Sequence, residues 1–183
     1  KYLFVDSSFY NIFSFKVLEG NPKEMLRSKG SIVLVDSYAR KLFGSENPMG
    51  REINLNGRVN LVVTGIIEDF GPNTHFPSTN GLVNFNAIED IWGYKGLLSE
   101  YSNSSFALYL LAKPSADLHS KIPKILTDFK ENFWLFQRGF ATDLSLEPIE
   151  DVYFSKKGGV GEDKNNKTIV LVFSSIVVLI LIL

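Results

Sequence analysis

The side chains most often used for acid–base or metal chemistry are scarce in this chain. Among its 183 residues there are two histidines and no cysteine. The lack of cysteine excludes a thiol nucleophile, a zinc finger, an iron–sulfur cluster and a disulfide framework. A metal site needs several converging ligands, whereas His75 lies in a polar stretch and His119 stands beside the predicted start of a helix. We expect both histidines to be structural or surface residues.

Carboxylates occur in four adjacent pairs, and paired carboxylates are the residues that glycoside hydrolases use. Two neighbouring side chains on a strand or a helix point in different directions, so such a pair does not present both carboxylates to one substrate. We expect these pairs to be solvated or to lie at turns and caps. They are Glu68-Asp69, Glu89-Asp90, Glu150-Asp151 and Glu162-Asp163.

Motifs that bind phosphate or activate serine are missing from the sequence. There is no GxxxxGK[ST] loop, no GxGxxG after a strand and no GxSxG elbow. The glycine-rich run 158–161 has the composition of a spacer, since a phosphate loop must lead into a helix N-terminus. With 19 basic and 20 acidic residues, the chain has no basic surplus for nucleic acid. The sequence therefore predicts no catalytic, cofactor-binding or metal-binding residue, no cofactor, no enzyme activity and no nucleic-acid partner.

The clearest local signal is a β-hairpin. Residues 52–55 and 58–64 alternate in hydrophobicity on either side of Asn56-Gly57, the dipeptide that favours a two-residue hairpin turn. Before it, Asp36-Ser37 predicts the cap of a helix that ends at Gly44.

The remaining elements follow from shorter patterns. Apolar runs predict strands at 31–35, 82–85, 105–112 and 144–149, and Asn21-Pro22 predicts a short helix through Leu26. A stripe from Leu118 to Phe133 predicts a helix that starts near Ser120, which places Pro123 in its first turn. Residues 9–15 predict a short helix running into a strand, and residues 68–80 predict a long loop. Together these elements predict an α+β fold.

The last fifteen residues, 169–183, are thirteen Ile, Val, Leu or Phe and two Ser, without a charge. As a helix they would reach about 22 Å, against about 30 Å of bilayer hydrocarbon. Because nothing closes the run and the chain starts with Lys1, we expect the truncated start of a transmembrane helix, with residues 156–168 as a flexible linker. The alternative is a buried strand or core helix. Four lysines in 151–167 weakly favour a cytoplasmic flank.

Three motifs in the first half carry a family resemblance. They are Leu42-Phe43-Gly44, Asn47-Pro48-Met49-Gly50-Arg51 and Thr64-Gly65-Ile66, the last ahead of a loop with Pro, Asn and His. In this order, around a hairpin, they resemble the extracytoplasmic domain of ABC transporter permeases of the MacB/FtsX type. The likeness is dense over 1–85 and follows only the pattern over 105–155. The physical roles of these residues are turns and stops, and none is a catalyst.

The resemblance implies an α+β fold: an α/β lobe, 1–20 plus 81–155, with an inserted small β-rich lobe, 21–80, followed by the truncated transmembrane helix. The extracytoplasmic domain would then cover 1–155. It implies a place in the bacterial inner membrane, facing the periplasm or the cell exterior. The implied partners are the membrane, an ATP-binding subunit, the other permease half, and a periplasmic protein or a lipoprotein or peptide substrate. The domain would transmit ATPase-driven motion to the substrate or the periplasmic partner. The four lysines near the end of the chain favour the cytoplasmic side instead of this location.

Two other classes stay open at this point. A membrane-tethered sensor domain predicts a preformed apolar pocket with a few convergent polar groups, whereas the permease predicts no such pocket and an exposed surface patch instead. A hydrolase would need a cleft with two perturbed titratable groups. Trp92, Tyr94 and Trp134 are the aromatic residues whose exposure would mark a partner surface.

Overall fold

The computed structural model describes residues 1–71, 74–76, 78–99, 106–152, 154, 168 and 170–174. Within these ranges it is a mixed α+β structure with six strands in one sheet. The strands are β1 (Leu3–Val5), β2 (Val17–Glu19), β3 (Ser31–Val35), β4 (Glu52–Leu55), β5 (Val59–Ile67) and β6 (Gly81–Asn84). The helices are α1 (Phe9–Ile12), α2 (Asp36–Phe43), α3 (Ile88–Trp92), α4 (Ile122–Asn132), α5 (Trp134–Gln137) and α6 (Ile149–Val152).

The sheet is mixed, with the order β1-β6-β3-β5-β2. β1 pairs parallel with β6, β6 antiparallel with β3, and β3 parallel with β5. The other edge of β5 is shared, because β4 and then β2 pair antiparallel with it. The central strand β3 is buried along its whole length, as expected for a strand covered on both faces.

Each face of the sheet has its own apolar cluster. On the first face, Ile32 and Leu34 of β3 pack with Val83 of β6, beneath Ala39 of α2 and Ile91 of α3. On the second face, the alternate β3 side chains pack with Leu82, Met25 and Leu26 and with aromatic residues of the α1 region. This two-sided burial follows from the period of two along a strand.

The predicted hairpin is confirmed, but Leu55 lies opposite Val59, so its loop holds three residues, 56–58, where the sequence predicted two. Asn56 and Gly57 both have positive φ, at 56° and 68°, which the Asn-Gly turn requires. The strands at 31–35 and 82–85, and the helix through Pro123, are also confirmed; α4 follows a 3₁₀ turn at His119–Lys121.

Four local predictions are wrong. Residues 106–112 and 144–148 form no strand, and 149–152 are helical. Residues 21–26 form consecutive turns in place of a helix, with the amides of Glu24 and Met25 both bonded to the carbonyl of Asn21. α2 has Val35 as its N-cap in place of the predicted Asp36-Ser37 cap, and the Asp69 carboxylate accepts from the amide and the hydroxyl of Ser37.

The predicted transmembrane helix falls mostly outside the described residues. Thr168 and residues 170–174 are helical and exposed. Among the residues that are described, no helix is both long enough and apolar enough to cross a bilayer. Apart from Thr168, the predicted linker lies outside the described residues. The sheet contains strands from both predicted lobes, and the division into two lobes stays a prediction.

A bulge in β5 explains the Thr64-Gly65 pair. Ile32 pairs with Val63, but Val33 pairs with Gly65, so Thr64 is the extra residue. The Thr64 hydroxyl donates to the carbonyl of Met25 at 2.6 Å. The Met25 side chain then lies directly over Gly65, and a Cβ at Gly65 would stand 1.9 Å from Met25 Sδ.

We therefore predict that Gly65→Ala destabilises the domain by about 2 kcal/mol, because it overpacks the buried Met25. Equilibrium urea denaturation measures the change. Gly30→Ala is the matched control, since its Cβ would meet nothing closer than Ser28 Oγ at 3.9 Å. If the two variants were equally stable, the close approach of Met25 would not constrain the sheet.

Candidate functional site

An apolar groove of about 410 Å³ runs beside β1, at the edge of the sheet. It is lined by β1 and by residues 106–109, together with side chains of α1 and α3. Phe4 points to the α3 side, where its ring meets Trp92 edge-on at 6.2 Å. This groove is the candidate binding site, because its size falls in the range of ligand sites in proteins.

An aromatic cluster on the second face of the sheet adjoins the groove, which its members Phe9, Phe13 and Phe76 line. Phe9 stacks on Phe15 at 5.4 Å, and Phe15 stacks on Phe70 at 4.6 Å. Phe13 meets the Phe76 ring edge-on at 4.8 Å. Aromatic pairs in these stacked and edge-on geometries stabilise beyond the area they bury. The cluster fixes α1, Phe70 and Phe76 against the sheet.

Two tyrosines beside the groove carry buried hydroxyls. The Tyr2 hydroxyl donates to the Tyr38 hydroxyl at 3.3 Å, and burial, followed by this bond, raises the pKa of Tyr2 well above its usual range. Burial alone raises the pKa of Tyr10, whose hydroxyl has no hydrogen-bond partner within the described chain. Both phenols therefore stay neutral at physiological pH.

The polar groups of the groove are engaged locally. Asp6 accepts from the amide and the hydroxyl of Ser8, at 2.7 and 2.6 Å. Tyr109 shares a 2.9 Å hydrogen bond with His75, whose ring contacts Phe76 at 4.2 Å. The surface of the groove therefore favours apolar contacts.

The histidines and acidic pairs do not converge. In the parts of the chain that are described, no three His, Asp or Glu side chains could hold a metal ion. Glu68 pairs with Lys16 and Asp90 with Lys29, both at 2.7 Å. Glu89 caps the amides of Gly96 and Leu98. His119 lies at the turn before α4, Glu150 and Asp151 are exposed on α6, and Glu162-Asp163 fall outside the described residues.

Two of the three aromatic residues named from the sequence are exposed. Trp92 and Tyr94 are each 48% exposed, and Trp92 borders the groove. Trp134 is half-buried, with its indole nitrogen enclosed and without a hydrogen-bond partner within the described chain. Trp92 and the exposed Leu108 line the same groove, and Leu110 and Leu111 of the same segment are also exposed.

The second sequence motif joins α2 to the hairpin. The Asn47 side chain accepts from the amide of Met49 at 2.8 Å, and Gly50 turns the chain at φ 75°. The amide of Gly50 then bonds to the carbonyl of Val63, and the carbonyl of Arg51 accepts from Val63. The Arg51 guanidinium lies over the Phe43 ring, 5.6 Å from its centre, and pairs with Glu46.

This motif and its geometry lie within a longer match. Residues 2–121 match the family of the MacB-like periplasmic core domain. The chain belongs to this family. The MacB-like domain is an extracytoplasmic domain of the kind that ABC-type transporter permeases carry, as the resemblance implied.

Three solved structures are similar to the MacB-like domain. They are a domain of a candidate permease from Porphyromonas gingivalis (15% identity, TM-score 0.49, covering 74% of this chain and 60% of that one), the extracellular domain of the noncanonic ABC-type transporter YknZ from Gram-positive bacteria (20%, 0.39, 49% and 46%), and the periplasmic region of MacB from Actinobacillus actinomycetemcomitans (12%, 0.43, 76% and 64%). The chain thus spans about half to two thirds of the length of these structures. Comparison with curated proteins finds no match.

Sequence reasoning missed the groove of the MacB-like domain. Its aromatic residues are present in the sequence, but no local pattern shows that they come together around a groove. The signal that could have located the groove is the density of aromatic residues in 1–15, followed by Phe76, Phe106 and Tyr109. The pairing of β1 with β6, across more than seventy residues of chain, was not visible in any local pattern.

We predict that Tyr10→Phe stabilises the domain by about 1 kcal/mol at pH 7, because it removes a buried hydroxyl that lacks a partner. Tyr2→Phe is the matched control and should not stabilise, since it loses the bond to Tyr38. The folded state raises the pKa of Tyr10, so the wild-type chain should lose stability as pH rises above about 10, and Tyr10→Phe should lose less. Urea midpoints at pH 7 and 10.5 measure both effects, and equal losses would contradict the assignment.

Proposed function

We propose that this domain is the stiff extracytoplasmic element of an ABC-type permease, which transmits motion driven by an ATPase subunit to a substrate or a periplasmic partner. The observation that supports this is the central sheet, in which β3 is buried on both faces and paired along both edges. An element of this kind moves as a unit, since packed cores do not deform continuously.

The partners and place of the domain belong to the same proposal. We infer a location in the bacterial inner membrane, with the domain facing the periplasm or the cell exterior. We also infer two partners, an ATP-binding subunit and a second permease half. The transported or contacted species would be a lipoprotein, a peptide or a periplasmic protein. The domain itself would catalyse no reaction, and the family match supports this assignment.

The exposed apolar patch at the groove, formed by Trp92 and Leu108, supports contact with a partner. Surfaces that bind proteins are enriched in aromatic residues, and contiguous exposed apolar patches mark interaction sites. Salt bridges on the rest of the surface, such as Lys16 with Glu68, are exposed and contribute little to stability. The apolar patch is therefore the surface at which motion would be passed on.

A sensor domain is the second candidate, and the groove beside β1 favours it. A sensor would use the groove for an apolar ligand, although its polar groups already bond to neighbours, as Asp6 does to Ser8. The two functions differ in what moves the domain: ligand in a sensor, nucleotide in a permease.

The test is a distance measurement in the intact permease with its ATPase subunit in lipid. The chain contains no natural cysteine, so spin labels can be placed at Lys23→Cys and Lys41→Cys. Both positions are exposed, the first in the turns after β2 and the second on α2. We predict that the distance between them is unchanged by ATP, while the distance from position 41 to spin-labelled lipid headgroups shifts.

An ATPase subunit that cannot bind nucleotide is the control and should abolish the shift. If ATP left the headgroup distance unchanged and an apolar ligand altered it, the sensor function would replace the permease function. If the distance between positions 23 and 41 changed with ATP, the domain would not be a stiff element.

A further inference from the structure

Residues 106–112 have the composition of a strand and yet are irregular in the structure. They read Phe-Ala-Leu-Tyr-Leu-Leu-Ala, rich in residues that suit a pleated, half-buried surface. Three of their leucines are exposed: Leu108 by 80%, Leu110 by 51% and Leu111 by 68%. Its first four residues, 106–109, line the same groove as β1. A strand-forming segment therefore stands next to a sheet edge without pairing with it.

The backbone of β1 presents bonding groups to that groove. The carbonyl of Lys1 accepts from the amide of Asn80 at 2.8 Å, on the β6 side. Because backbone groups alternate along a strand, Leu3 and Val5 also face β6, whereas Tyr2 and Phe4 face outward. Within the described chain, the sheet order ends at β1, so its outer edge has no neighbouring strand.

Two side chains of the segment already make contacts on opposite faces of the sheet, as the side chains of a strand would. The Phe106 ring meets Phe85 edge-on at 4.9 Å, next to the end of β6 that leads to α3. The Tyr109 ring meets Phe13 at 5.0 Å and belongs to the cluster on the second face of the sheet. Residues three apart in a strand point to opposite faces. Phe106 and Tyr109 are placed in this way, on the α3 side and on the aromatic side.

We propose that residues 106–111 close the groove by adding to β1 as a further, antiparallel strand. Phe106 lies beside the carboxyl end of β6, which is level with the carboxyl end of β1, so the segment runs back along β1 with Ala107 opposite Val5 and Leu108 opposite Phe4. Phe4 then exchanges backbone hydrogen bonds with Leu108. The leucine side chains at 108 and 110 cover the groove beside Trp92. This inference goes beyond the proposed function and does not depend on it.

The occupant of the edge is this chain's own segment because that segment is already anchored there on both faces. A strand from a second copy or from a partner would have to displace Phe106 and Tyr109 from their ring contacts. These two occupants are nevertheless distinguished in the experiment. The closed arrangement also removes an apolar edge that would otherwise promote association between chains.

The first test is disulfide formation in the intact chain, which has no natural cysteine. Val5→Cys with Ala107→Cys places two thiols on the same face at a pair that is not hydrogen-bonded, where cross-strand Cβ atoms approach to disulfide distance. We expect most of this variant to oxidise within the monomer. Val5→Cys with Leu108→Cys is the matched control and should not, since position 108 points to the other face. Equal oxidation of the two pairs, or none in the first, would overturn the proposal.

The second test does not require new cysteines to be tolerated. Amide hydrogen exchange at Phe4 is compared in the wild-type chain, in Leu108→Pro and in Ala107→Pro. Proline at 108 removes a donor to Phe4, whereas the amide at 107 points away from β1. We expect exchange at Phe4 to be about tenfold faster in Leu108→Pro than in the other two chains. Equal rates in all three would overturn the proposal, and protection that grew with protein concentration would assign the edge to a second copy.

Discussion

The structure depends on the burial of β3 (Ser31–Val35) on both faces of the sheet. A strand with five consecutive buried residues cannot be stable in a single layer, because each face must be covered by another element. α2 and α3 cover one face, and the 20–30 segment with the aromatic residues of α1 covers the other. The pairing of β3 along both of its edges then fixes β5 and β6, and through them β1, β2 and the hairpin strand β4. The fold is organised around one strand that has no solvent-facing side.

The 20–30 segment, which covers the second face of the sheet, has little regular secondary structure, so side chains of the sheet hold it in place. Thr64, the bulge residue of β5, bonds to the carbonyl of Met25, and the buried Asn84 donates to the carbonyl of Leu26 at 2.6 Å. Buried carbonyls of an irregular segment need such partners, since unpaired backbone groups are costly in a core. Gly65 completes the arrangement by leaving room for Met25. The Thr64-Gly65 pair is therefore a packing device, which agrees with the sequence-based view that the motif is architectural.

Much of the first half could be predicted because its signals are local. Asn56-Gly57 specifies a turn by backbone conformation alone, and Pro123 fits only the first turn of its helix. The partner order of the strands was not predictable, since β1 and β6 meet through tertiary packing and no local pattern encodes their register. The turns at 21–26 replaced the expected helix because Met25 and Leu26 are drawn into the sheet, and packing overrides a weak capping signal. The expected strand at 105–112 has the right residues, but a strand exists only where a neighbour pairs with it. The groove escaped prediction for the same reason, since its walls come from distant parts of the chain.

The contrast between the sheet and the helices after it bears on how motion would pass through the domain. α4 is amphipathic, yet none of its residues is buried, and its ring contacts are with its own end and α5, through Phe129 with Phe133 and Phe136 at 5.7 Å. An apolar helix stripe normally gains its stability by packing on a core. In the described structure, α4 thus packs on α5 and on the turn before it, while the sheet is buried on both of its faces. A domain built in this way is stiffest at its sheet, because a packed core does not deform continuously.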